Sequence, residues 1–360
     1  MWPAGHRARL RRTTGGDPTS HQEEKAVATI DDVARAAGVS RSTVSYALSG
    51  KRSISPATRD RIDRAIKQLK YTPNAGARSL RTAQTGVLGL LVQFHEDEFA
   101  PAMLQYILPI AETSRALGYD ILMMTETDGA EALTRAAESG MVDGLVLLDV
   151  TENDPRLDAL RAVRQPGVLV GLPGDTRGLD VVDLDFAAAA RSLVDHLYGL
   201  GHRTLVLVSP PKHVFERGGA YSWRFRDAAR LRASELGLEL TTRYGESQQP
   251  AIDANLHEIL DDNPDATGII MHNDASVAAL PHLLHQRGVR VPDDLSVVSL
   301  YSRDFARWFS LPYTAIESSP GLLGTVAVKQ LAQRITGEEA AGPHGTRLIT
   351  AEIVDRGSTR

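Results

Sequence analysis

The sequence contains no cysteine. That single absence removes disulfides, thiolate metal sites and cysteine nucleophiles, and it gives no sign of an oxidising compartment. Long apolar runs are missing as well, and nothing approaches the roughly 20 residues of a membrane-spanning helix. The start, MWPAGHRARLRRTTGGDPTSHQEEK, carries arginines but no apolar stretch behind them, unlike a secretory signal. Residues 1–27 therefore read as a disordered extension, and a cytoplasmic protein without membrane partners is expected. No G-x-G-x-x-G, G-x-x-x-x-G-K-[ST] or G-x-S-x-G motif follows an apolar run, which disfavours a nucleotide-dependent enzyme or an elbow-type hydrolase. His282 and His285 could share one helix face, but no third ligand is placed with them. The expectation is no enzyme, no cofactor and no metal.

What is present is a chain of 360 residues, 42% apolar and 24% charged, long enough for two or three domains. Its net charge of −5 hides an asymmetry. Residues 29–81 hold 11 Lys/Arg against four Asp, a balance of +7 that leaves the rest of the chain strongly acidic. A small basic module on a large acidic body suits a polyanionic partner for the module alone.

Within that module, TIDDVARAAGVSRSTVSYAL begins with a helix-start signal. Thr29 can cap a free backbone N–H, and Asp31 and Asp32 suit the positive end of the helix dipole. Ile30, Val33, Ala34 and Ala37 fall on one stripe, Gly38 supplies a left-handed stop, and Ser40 caps a second helix. In the second helix Val44, Ala47 and Leu48 face inward, while Arg41, Ser42, Ser45 and Tyr46 face out. Ser55-Pro56 opens a third helix that buries Ile62, Ala65, Ile66 and Leu69. Helix, short glycine-containing turn and second helix form the helix-turn-helix pattern. The pattern taken alone also fits a helical bundle that serves as a dimerisation cap.

The run from Thr29 to Leu80, with its DVA..AGVS..TVS core and its YTPN junction, resembles the DNA-binding headpiece of the LacI/GalR family of bacterial transcription regulators. The resemblance implies that Arg41 and Ser42 read bases and that Thr43, Ser45, Ser53, Ser55, Thr58, Tyr71 and Asn74 hold the DNA backbone. Tyr46 stands where many relatives carry an arginine, and tyrosine cannot make that residue's bidentate pair with guanine. Residues 73–85 match the family's hinge and linker, in which a short helix orders on DNA. Ala77 and Leu80 would enter the minor groove there, Leu80 as the wedge. A leucine simply packed on the domain below is the alternative. Residues 28–72 are assigned to the helix-turn-helix domain.

From Gly86 onward, near-continuous apolar runs (GVLGLLV, DILMMT, DGLVLLD, GVLVGL, TLVLVSP, TGIIMH and LSVVSL) alternate with helical patterns. Strands apolar on both faces imply parallel sheets covered on both sides, so residues 86–360 read as two doubly wound α/β subdomains. VVDLDFAAAARSLVDHLYGLGHRTLVLVS, GIIMHNDASVAAL and VRVPDDLSVVSL resemble the same family's effector-binding core, a type I periplasmic-binding-protein fold. That implies three crossings between subdomains, expected near Asp185, Glu317 and Arg347. It also implies a ligand between them contacted by Phe99, Arg224, Asn273, Asp274 and Tyr301. Asp274 could instead cap the helix behind it, and Arg224 could be a surface residue. Where relatives have G-F-D-D, this chain has Ser299-Leu300-Tyr301-Ser302, which loses a carboxylate and leaves a sugar, an aromatic compound, a larger molecule or no ligand open.

The implied protein is a homodimeric repressor that binds a pseudo-palindromic double-stranded DNA operator and responds to a small molecule, a carbohydrate among the candidates. Helix 322–335 and the first helices of the core are the expected dimer surfaces. A solute receptor that retains the cleft without a DNA role is the rival reading.

Overall fold

The structure is a computed structural model that describes residues 28–49, 54–71, 84–95, 99–337 and 342–360. Ser53, Asn74, Ala77 and Leu80 lie outside the described residues. The chain divides into two compact units, Met1–Arg78 and Ser79–Arg360.

The first unit holds α1 (Ile30–Ala37), α2 (Arg41–Ser49) and α3 (Pro56–Leu69). The start of α1 is a reciprocal cap: the Asp32 N–H donates to Thr29 Oγ1 at 3.3 Å and the Thr29 N–H donates to Asp32 Oδ2 at 2.9 Å. The Thr29 hydroxyl bond is the main reason the Asp32 carboxyl sits below its ordinary pKa. Gly38 ends the helix at φ 63°, where a β-carbon would be strained. Val33, Val44 and Ile62, one from each helix, are fully buried at the centre of a very small core.

In the second unit, β1 (Val87–Leu91), β2 (Asp120–Met124), β3 (Gly144–Leu147), β4 (Gly167–Val170), β5 (Asp180–Leu184) and β11 (Thr346–Ile349) form one sheet in the order β11-β5-β4-β3-β1-β2, all parallel. The other sheet comprises β6 (Thr204–Ser209), β7 (Glu239–Tyr244), β8 (Gly268–Met271), β9 (Ser296–Ser302), β10 (Thr314–Ser318) and β12 (Ile353–Val354). Its order is β12-β10-β9-β8-β6-β7, and only β12 runs antiparallel. The sheets define two lobes, each with helices packed on its strands.

The helices are α4 (Ala100–Ala116), α5 (Gly129–Glu138), α6 (Arg156–Ala162), α7 (Phe186–Gly199), α8 (Lys212–Glu216), α9 (Ala220–Glu235), α10 (Ala251–Asp262), α11 (Asp274–Arg287), α12 (Arg303–Trp308) and α13 (Pro320–Thr336). No described helix is long and apolar enough to cross a membrane.

The chain passes from the first sheet to the second after Leu184, where Asp185 caps α7, and returns after Ser318 into α13. The third passage falls between Ile349 and Ile353. Arg347 is therefore inside β11 rather than at the crossing expected there, because TRLI continues the first sheet as a parallel edge strand.

Helix α13 is also less available than the sequence suggested. Leu323, Ala327, Val328 and Leu331 are buried inside the subunit, and Gly324 approaches α4 so closely that a β-carbon would lie 2.9 Å from Ile110 Cγ1. Leu322 is the large apolar side chain of this helix that stays exposed.

Candidate functional site

On the first unit, α2 presents Arg41, Ser42 and Tyr46 at the surface. Arg41 is 69% exposed and forms only a loose pair with Asp31 (3.6 Å), so its guanidinium can leave at little cost. Ser40 caps the helix by accepting from the Thr43 N–H at 3.2 Å, and its hydroxyl also lies 2.8 Å from those of Ser42 and Thr43. Ser45 is half-buried. Ser55 caps α3 and shares a 2.9 Å contact with the Thr58 hydroxyl, so both sit at one helix N-terminus, a geometry suited to a phosphate. Tyr71 packs partly on the small core.

In the second unit a cavity of about 230 Å³ lies between the lobes. Strand ends and helix starts converge on it, as expected for doubly wound sheets, whose ligands gather at the carboxyl ends of strands. Phe99, Asn273, Asp274 and Tyr301 are on its wall. Phe99 precedes α4 and meets Phe305 edge-on at 6.0 Å, which fixes an apolar surface.

Asn273 is the residue that caps α11: extended at φ −145°, it accepts from the Ser276 N–H at 2.9 Å. Asp274 is thereby released from capping. Its carboxyl makes no hydrogen bond with any described residue, and burial pushes its pKa up to about 7. The buried Asn273 Nδ2 is likewise without a partner. That nitrogen lies against Gly245, where a β-carbon would sit 2.5 Å from it, so the group left unmatched on the cavity wall is the Asp274 carboxyl, costly unless something fills it.

Two expected contacts resolve differently. Tyr301 contributes only its ring, because its hydroxyl donates to the Tyr313 carbonyl at 2.5 Å. Arg224 is not on the wall at all. Its guanidinium meets Glu152 Oε2 at 2.9 Å and donates to the carbonyls of Leu172 and Pro173, joining α9 of one lobe to loops of the other. Trp223, its neighbour, does not line the cavity either. His282, weighed above as a metal ligand, lies 2.8 Å from Gln286, and no cluster of three ligands occurs among the described residues.

Sequence reasoning missed Tyr106, Asp149, Asp183 and His272, all of which face the same space. Asp183 accepts from the N–H groups of Leu172 and Leu184, both at 2.8 Å, yet burial still raises its pKa to about 6. The Tyr106 phenol is raised by burial and then by the charges of Asp183 and Asp274. His272 lies against Phe225, ring centroids 3.9 Å apart, and burial lowers it to about 3, so it is neutral. The signal that could have found the aspartates is position: VLLD and VVDLD place a carboxyl at or near the end of an apolar strand.

Asp149 adopts φ 50°, a left-handed conformation uncommon for residues other than glycine, though aspartate and asparagine enter it more readily than most. Behind it, the buried Arg156 pairs with Asp154 at 2.6 Å and donates to the Asp149 carbonyl at 2.9 Å. This strain beside a cavity suggests a functional constraint. Asp149→Gly should relax the backbone and raise core stability by about 1 kcal/mol, while weakening ligand binding. Denaturant melts and a binding titration on the same protein would check both halves.

Residues 29–74 match the family described as bacterial regulatory proteins, lacI family, and residues 194–359 match the periplasmic binding protein-like domain. The HTH-type transcriptional regulator CelR of Thermobifida fusca is 30% identical over 322 residues, covering 88% of this chain and 94% of that protein. The chain belongs to the lacI family.

Catabolite control protein A of Staphylococcus xylosus is 26% identical over 92% of this lacI-family chain and 99% of its own length. Among solved structures, a CelR–cellobiose complex is 26% identical with a TM-score of 0.65, covering 92% of this chain and 99% of that one. A lac repressor dimer bound to operator and the anti-inducer ONPF shares the fold at a TM-score of 0.77 and 23% identity, with the same coverage of both chains. As a lacI-family member, the protein is a DNA-binding transcriptional regulator built from a helix-turn-helix unit and a two-lobed core.

Proposed function

We propose that this regulator is a homodimeric repressor whose grip on a pseudo-palindromic operator is set by a hydroxyl-rich small molecule, a carbohydrate or close relative, held between the lobes. The observation that carries the ligand class is the Asp274 residue, whose carboxyl has no described hydrogen-bond partner, on the wall of an aromatic-lined cavity. A ligand hydroxyl can donate to that carboxyl while the ring lies against Phe99 or Phe186. The solved complex of the related CelR with cellobiose supports the same class.

Two copies are supported by Leu104 and Leu108, one turn apart on α4 and 43% and 50% exposed, with Leu322 of α13 also exposed. A two-fold protein calls for a two-fold site in the DNA. Arg41, Ser42 and Tyr46 would read bases from α2, with Thr43, Ser45, Ser53, Ser55, Thr58, Tyr71 and Asn74 on the backbone and Ala77 and Leu80 in the minor groove. A ligand that fits one arrangement of the lobes better than the other shifts the population of the DNA-binding form.

A gel shift on the protein's own upstream DNA, repeated across salt, tests the assignment. Logarithmic affinity should fall against logarithmic salt with a slope of about −0.9 per neutralised phosphate. Arg41→Ala should weaken specific binding by about 10- to 100-fold and scarcely alter binding to random DNA. A flat salt response would overturn the proposal. A thermal-shift screen of sugars, nucleosides and aromatic glycosides identifies the effector, since binding to the folded state alone raises its melting temperature.

A further inference from the structure

The wall of the cavity carries charge of one sign. Asp149, Asp183 and Asp274 line it, Asp149 with a carboxylate oxygen 3.5 Å from His95 and Asp183 with both oxygens on backbone N–H groups, and among the described residues no lysine or arginine lines it. Of the two imidazoles on the wall, His272 is packed among Phe186, Tyr221 and Phe225 with no charged partner, leaving His213 as one group against three carboxyls. A guanidinium nevertheless stands immediately behind the wall, because Arg224 donates to the carbonyl of Leu172, which is itself a wall residue.

Besides the carbonyls of Leu172 and Pro173, the one charged partner that holds that guanidinium back among the described residues is Glu152. The Glu152 backbone is fixed independently of the ion pair: its N–H donates to the Gly218 carbonyl at 2.9 Å, and its carbonyl accepts from the Gly174 N–H at 2.9 Å. The loop closes tightly around it, since a β-carbon on Gly174 would lie 2.7 Å from Glu152 Oε1. An isolated bridge between Thr151 and Gly219 pins the same loop to the opposite lobe.

We infer that Glu152 fixes the charge selectivity of the effector site: by sequestering Arg224 behind the wall it leaves the cavity with carboxyls alone, so the site takes uncharged hydroxylic ligands and refuses their phosphorylated or carboxylated counterparts. An entering anion would be stripped of water and set beside carboxyls, with no charge-assisted donor to replace what it lost. This inference rests on the cavity being the effector site. It adds that one residue outside the cavity decides which effectors are admitted.

The test uses the full chain and a panel of neutral mono- and disaccharides, each paired with its phosphate ester, together with inorganic phosphate alone. In the wild type, esters should bind about 100-fold more weakly than their parents, and inorganic phosphate should leave the melting temperature unchanged. Glu152→Ala should cut that discrimination to under about 10-fold and make inorganic phosphate protective. Adding Arg224→Ala should abolish the new protection. Glu152→Gln keeps the side chain's shape and serves where the alanine variant folds poorly.

An ester that binds the wild type within a few-fold of its parent would overturn the inference, as would discrimination unchanged in both Glu152 variants. Either result leaves the repressor assignment standing. A flat salt response on DNA would strike that assignment and not the selectivity.

Discussion

Asp274→Asn is expected to weaken effector binding about 100-fold, the loss of a charge-assisted hydrogen bond in a buried site, while making the ligand-free core more stable above neutral pH. The sign follows from the direction of the pKa shift. The carboxyl is held at about 7 in the folded protein against an ordinary value of 3.8, so folding is unhindered by it in acid and loses stability as pH rises from about 4 through 7. By pH 8 the accumulated cost is of order 4 kcal/mol. Asparagine does not titrate, so the melting temperatures of variant and wild type should separate across that interval and run parallel on either side. Asp183→Asn should behave oppositely, because Asp183 accepts two backbone N–H bonds at 2.8 Å and an amide nitrogen turned toward them would leave donors facing donors. A variant of Asp274 that kept full effector response would return this residue to a structural role.

Ile62→Ala should remove operator binding altogether and leave effector binding intact. Ile62 is completely buried, and among the described residues the core it anchors has Val33, Ala34, Ala37, Val44 and Ala65 as its other buried members. Truncating a buried isoleucine costs about 2–5 kcal/mol, and a core this small supplies no more than roughly 3–5 kcal/mol in total. The helix-turn-helix unit should therefore be unfolded at 25 °C, visible as lost helical circular dichroism and a flat gel shift. Thermal protection of the second unit by its ligand should persist, because the two units are separately compact. Equal damage to both would mean that their stabilities are not independent.

The parts of this molecule that were legible in the sequence are those determined by neighbouring residues. Thr29 with Asp32, Gly38 and Ser55-Pro56 each announce a helix boundary through local hydrogen bonding or φ preference. The apolar strand runs likewise reveal parallel sheets because both faces are covered. The cavity was legible only in part. Asn273 and Asp274 are adjacent and both suit an N-cap, so local chemistry could not say which would cap the helix. The extended backbone at Asn273 decides it. Arg224 lies off the wall for a different reason, and the Tyr301 hydroxyl is turned away from it for the same one: a long or large side chain is aimed by distant partners, here Glu152 and the Tyr313 carbonyl, 72 and 12 residues away in sequence. The third crossing was misplaced because no glycine or proline separates β11 from β12.

That last stretch has a consequence for how the molecule is made. Residues 346–360 supply an edge strand to each sheet, and Ser358 within them receives the Thr314 N–H at 2.6 Å and donates to the Val297 carbonyl at 2.6 Å. Neither lobe can finish folding until this segment has left the ribosome. The DNA-reading helices have by then been outside for about 15–60 s at ordinary synthesis rates of roughly 5–20 residues per second. Each newborn chain thus owns a finished reader well before it owns a sensor, and any nascent copy near its operator would be deaf to the effector during that interval.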